Sequence, residues 1–151
     1  MVQIGRQDDL LNWQPPAPVK RFDDDKVRAG SVAGRVCRAV SLSLKESGVD
    51  RSLIAERMSE FLGEEVSKNM LDAYSSQARE EHVINVVRFI ALIHATRDRR
   101  LLEMVAEMFG WAVIERRYLK LIELASLNEH RDELRQRADA ARRQAKSEGL
   151  L

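Results

Sequence analysis

At 151 residues the chain is long enough for one domain with a real core and a tail or two. Its composition is 44% hydrophobic and 32% charged with a formal charge of +1, so there is no global attraction to nucleic acid and any basic footprint must be local. The single Cys37 excludes an internal disulfide, no stretch reaches the ~18 apolar residues of a membrane span, and the N-terminus lacks the apolar core of a signal peptide; the expectation is a cytoplasmic protein with no membrane partner.

Residues 1–23 form the first predicted element, an extended arm. Pro15, Pro16 and Pro18 cannot join a helix and favour a polyproline-like segment. The arm is either a flexible tail or a strap that docks Trp13 on a partner subunit or on its own domain. A helical domain is expected over residues 24–119. Its first helix begins near Asp24 or Asp25, whose charge suits a helix N-terminus. Val27, Ala33, Val36, Val40 and Leu44 make its apolar face, with Gly30 and Gly34 as weak points. Between Lys26 and Lys45 lie five bases and no acid. A supporting helix of this kind often reaches DNA phosphates, which makes Lys26, Arg28, Arg35 and Arg38 phosphate-contact candidates; a merely solvated face is the alternative.

The next stretch, residues 49–79, is the most informative. Asp50 or Ser52 can cap a helix with Ile54, Met58, Phe61 and Leu62 on one face. Gly63 stops it, because glycine adopts the left-handed conformation without steric cost. Ser67 then caps a second helix, with Val66 poised to staple onto Leu71. Leu71 and Tyr74 face inward and Met70 lies at the margin. This is the outline of a helix-turn-helix, whose second helix can enter a DNA major groove. Lys68, Asn69, Ser75, Ser76 and Arg79 are then the base-reading candidates, since Asn suits adenine edges, Lys and Arg suit guanine or phosphate, and Ser suits either. A generic helical hairpin is the competing reading. The turn GEEVS is longer than usual, and four bases stand against six acids from Asp50 to Arg79, the wrong sign for phosphate contact.

Two further helices are expected before residue 119. Asn85 can cap one bearing Val86, Phe89, Ile90 and Ile93, and Asp98 can cap the next, whose inner face is Leu101, Leu102, Val105 and Phe109. Gly110 ends that helix, and the apolar run Trp111–Ile114 is expected to lie against the helices. From Glu115 the pattern is helical to about Ser147. Tyr118, Leu119, Ile122 and Ala125 form an amphipathic start expected to pack on the domain. Residues 120–151 are expected to protrude. Leu124, Leu127, Arg131, Leu134, Ala138, Ala141 and Ala145 alternate at spacings of three and four, a weak heptad seam with Arg131 intruding. Leu124, Leu127 and Leu134 are the dimerisation candidates, and a solvated single helix is the alternative. From Arg131 to Lys146 six bases stand against three acids, which suits nucleic acid or simply solubility.

No catalytic constellation assembles. His82, His94 and His130 have no metal-ligand spacing with Cys37 or with one another, and there is no glycine-rich phosphate loop or nucleophile elbow. The expectation is a non-enzyme with no cofactor and no metal. The segments AERMSEFLGEEVSKNMLDAYSSQARE and ALIHATRDRRLLEMVAEMFGW resemble those of small proteins encoded near the transposition genes of Mu-like transposable prophages. The second segment is also similar, more loosely, to phage regulatory proteins of the CII type, in its apolar helix, its turn with Thr96 and Asp98, and its Leu-Leu helix ending in Gly110. The resemblance implies an all-α, sequence-reading or transposition-associated protein that binds double-stranded DNA. Two functions follow as expectations: a phage or prophage DNA-binding regulator acting as a homodimer, or an adaptor that binds a transposition or replication protein through the C-terminal helix and the Trp13 arm.

Overall fold

The computed structural model describes residues 19–76 and 82–150, and among them the protein is all-helical with no strand. Trp13 and Arg79 lie outside the described residues. Among the described residues seven α-helices follow one another: α1 (Asp24–Val27), α2 (Val32–Glu46), α3 (Arg51–Leu62), α4 (Lys68–Tyr74), α5 (Val86–Thr96), α6 (Arg100–Glu107) and α7 (Leu119–Ser147), with a 3₁₀ turn at Arg116–Tyr118 ahead of the last. The described chain divides into two compact units between Val113 and Ile114.

The single helix expected from Asp24 is two. Asp23 caps α1 by accepting from Asp25 N, and α1 ends after one turn. Gly30 lies in the break, and Ser31 restarts the helix by accepting from Gly34 N at 3.0 Å. Glycine disfavours helix through its backbone entropy, and a serine cap one residue later makes a fresh start cheaper than a continuous helix. Phe22, expected in the arm, is buried in the core instead.

The core of the first unit is built around α3 and α5, which lie side by side. Ile54, Ala55 and Met58 face Ala91, Leu92 and Ala95, with Val40 and Leu44 of α2, Leu71 of α4 and Leu101 and Met104 of α6 completing the cluster. Small Ala55, Ala91 and Ala95 permit close approach of the helices. Of the four apolar residues expected on α5, Phe89 and Ile93 pack half-buried against this core, while Val86 (74% exposed) and Ile90 (50%) point outward. Phe61 is also outside the core, where its ring stacks on His94 with centroids 4.2 Å apart. On α6 the buried side chains are Leu101, Glu103 and Met104, and Leu102 and Val105 are exposed, as is Phe109 in the turn that follows. Glu103 Oε2 accepts from Val113 N at 2.7 Å, so a buried acidic side chain organises the chain after α6. Trp111, expected against the helices, is 70% exposed and stacks on Phe109.

In the second unit the 3₁₀ turn leads directly into α7, a helix of 29 residues with no buried side chain. Leu119 and Ile122 are exposed rather than covered.

Candidate nucleic-acid interface

The α3–α4 pair has the caps that its sequence implies. Asp50 caps α3 by accepting from Ser52 N at 2.7 Å. That backbone bond, helped by the nearby Lys68 charge, holds its carboxyl below the ordinary carboxylate range. Gly63 closes α3 at φ 69°, in the left-handed region. Ser67 caps α4 by accepting from Met70 N at 3.3 Å.

The long turn between them is held by a residue that sequence reasoning passed over. Ser59 Oγ accepts from Val66 N at 2.9 Å, and the hydroxyl lies 2.8 Å from Ala55 O and 3.2 Å from Val66 O. One side chain in the last turn of α3 thus clips the start of α4 back onto α3, with Val66 buried beneath. From the other side, Arg88 on α5 donates to Tyr74 Oη and pairs with Glu64 at 3.5 Å, joining α5 to α4 and to the turn.

On α4, Leu71 and Tyr74 are buried and Met70 is half-buried, which leaves Lys68 and Asn69 exposed in the first turn. The other base-reading candidates differ. Arg51 donates to the Asp72 carboxylate and to Ser75 Oγ (3.2 Å), and Ser75 Oγ donates to Asp72 O at 3.1 Å. Ser75 is therefore engaged in closing the helix, and it and Ser76 are half-buried. The same contact neutralises Asp72, the one acid on this helix. Of the six acids that oppose DNA contact in this region, Asp50 is a cap, Glu64 is paired with Arg88 and Asp72 with Arg51.

The four phosphate-contact candidates line two separate grooves. Lys26 and Arg38 line one groove with Ser41, Leu42, Lys45 and Glu46. Arg28 and Arg35 line another with Asp24, Asp25 and Glu107. Arg35 pairs with Glu107 at 3.5 Å, and Arg21 pairs with the same carboxylate at 2.6 Å. Arg38 donates to Arg28 O across the α1–α2 break. Lys45 lines the first groove as well, seven residues or two helical turns on from Arg38.

Among the described residues no group of three or more His, Cys, Asp or Glu side chains converges on a metal-sized site, and no helix is long and apolar enough to cross a membrane. Comparison of the chain with protein-family models, curated proteins and solved structures finds no match.

Proposed function

We propose that this protein is a DNA-binding regulator, of the phage or prophage kind its sequence resembles, that presents α4 to the major groove of duplex DNA. One observation carries the reading. Lys68 and Asn69 are exposed in the first turn of a capped, anchored helix whose only acid is neutralised by Arg51. A groove-inserted helix usually offers its first-turn side chains to base edges, and Asn and Lys are suited to adenine and guanine respectively. Lys26 and Lys45, on the groove they share with Arg38, supply phosphate contacts that position without reading sequence.

Anisotropy titrations of labelled duplexes test this. A selected duplex and a random one should both bind at low salt, the selected one more tightly. Asn69→Ala should relax the preference by about 1–3 kcal/mol and leave random-duplex affinity nearly unchanged. Lys26→Ala with Lys45→Ala should instead weaken both duplexes alike and flatten the salt slope by about two. Absence of duplex binding at low salt would remove the reading.

A further inference from the structure

Helix α7 has a side that is both apolar and basic, and from Leu124 to Ser147 its acids are kept off that side. It runs for 29 residues, about 44 Å, with no buried side chain. Leu124, Leu127 and Leu134 are 48%, 61% and 51% exposed. With Leu124 at a heptad a position, Leu127 and Leu134 fall at d, and Arg131, Ala138, Ala141 and Ala145 continue the seam. Arg135 and Arg142 then take e positions and Arg137 a g position, flanking the seam on both sides. Glu129, Asp132, Glu133 and Asp139 fall at f, b, c and b, on the opposite side. Within α7 from Arg131 onward every charge on or beside the seam is positive, and the acids are confined to the other side, where Arg143 at f and Lys146 at b add two further bases. Arg131 pairs with its neighbour Asp132 at 3.0 Å and Arg142 reaches Asp139 only at 4.0 Å, while Arg135 and Arg137 have no ion pair among the described residues.

This sorting decides among occupants. A second copy in parallel register would set Arg137 against Arg142, His130 against Arg135, and Arg131 against itself. An antiparallel copy would set e against e and g against g, again largely base against base. Like charges at these positions select against a pairing. Duplex DNA would satisfy the arginines and leave the leucines uncovered. A membrane surface needs bulky apolar side chains along the whole stripe, and here its C-terminal half is alanine. A helix partner fits both halves, since small a and d residues let a second helix approach closely.

We propose that α7 docks an acidic amphipathic helix of a different protein, whose apolar positions cover Leu124, Leu127, Leu134 and the alanines and whose carboxylates face Arg135, Arg137 and Arg142. The proposal is independent of DNA binding by α4.

The test uses the full chain and two labelled designed peptides of four heptads with Leu at a and d. One carries Glu at every e and g position, the other Lys. The Glu peptide should bind at least about tenfold more tightly than the Lys peptide, with the difference shrinking as salt rises. The variant R135E/R137E/R142E, checked for unchanged helix content by circular dichroism, should reverse that preference. Sedimentation of the full chain alone at tens of micromolar should give a monomer. Equal binding of the two peptides, or a dimer dissociated by Leu127→Glu, would overturn the proposal. So would a Glu peptide that fails to bind while the triple variant loses affinity for duplex DNA. Because the peptides do not involve α4, their binding stands or falls separately from that of DNA.

Discussion

Arg51 sets the charge that α4 shows to solvent. It sits in the first turn of α3, yet its guanidinium reaches across to Asp72 and Ser75 at the far end of the neighbouring helix. An exposed ion pair of this kind adds little to stability, typically 0–1 kcal/mol. Its consequence lies in the field: a carboxylate on a groove-facing helix repels phosphate, and a guanidinium beside it cancels the repulsion locally. Asp72→Asn should therefore tighten binding to any duplex and steepen the salt slope by about one. Adding Arg51→Met to that variant should return both quantities close to their starting values. Anisotropy titrations over a range of salt read the effect, and an Asp72→Asn protein with wild-type affinity at every salt would show that this face does not approach phosphate. Counting charges along residues 50–79 could not reveal the cancellation, because Arg51 and Asp72 are separated by 21 positions and meet only through the fold.

At the level of elements, the helix ends of the α3–α5 region were legible. The break between α1 and α2, the ends of α6 and several of the helix faces were not; α6 starts from Arg99 rather than Asp98 and stops at Glu107, short of Gly110. Asp50, Ser67 and Asn85 cap α3, α4 and α5, and Gly63 closes α3, because capping chemistry is local and needs only the residues on either side. Faces depend on what lies opposite. Helix α5 is apolar nearly all round, so periodicity offered several stripes, and close approach to α3 selected Ala91 and Ala95 over the larger Val86 and Ile90. On α6 the burial of Glu103, which satisfies Val113 N, turned Leu102 and Val105 outward. Within the candidate site, Lys68 and Asn69 were readable from their place just after a cap, whereas the clip made by Ser59 was not, since Ser59 looks like any half-exposed helix serine. That clip carries a prediction. Ser59→Ala leaves Val66 N without its partner beside a buried side chain, which should cost about 1–3 kcal/mol. Urea unfolding measures the loss, and hydrogen exchange should show it concentrated at residues 63–70. A uniform decrease in protection across the first unit would mean that the hydroxyl does not specifically hold the turn.

Across the first unit as a whole, one charged cluster joins the N-terminal segment, α2 and the α5–α6 turn. Arg97 adopts a left-handed φ of 58°, which turns the chain out of α5. Arg100 then grips Asp98 through two bonds of 2.8 and 2.7 Å, pairs with Glu46 at 2.6 Å, and lies over the Phe22 ring at 4.4 Å. Burial pushes the Asp98 carboxyl upward, but bonds from the Arg100 guanidinium and N–H outweigh it. The result is a carboxyl held below its ordinary value of 3.8. A carboxylate depressed in the folded state contributes stability that is complete above its unfolded pKa and is lost as pH falls through the folded one. Stability should therefore decline below about pH 4 as Asp98 takes up a proton. Asp98→Asn should cost on the order of 1–2 kcal/mol at pH 7, since both groups are partly solvated and the loss of a charge-assisted bond is screened accordingly. The gap between wild type and variant should narrow as pH drops below 3.8, because protonation does to the wild type what the substitution does permanently. Urea unfolding at pH 7, 4.5 and 3 reads this directly. A gap of constant size across those three values would place the acid sensitivity elsewhere and reduce the cluster to a packing contact between Arg100 and Phe22.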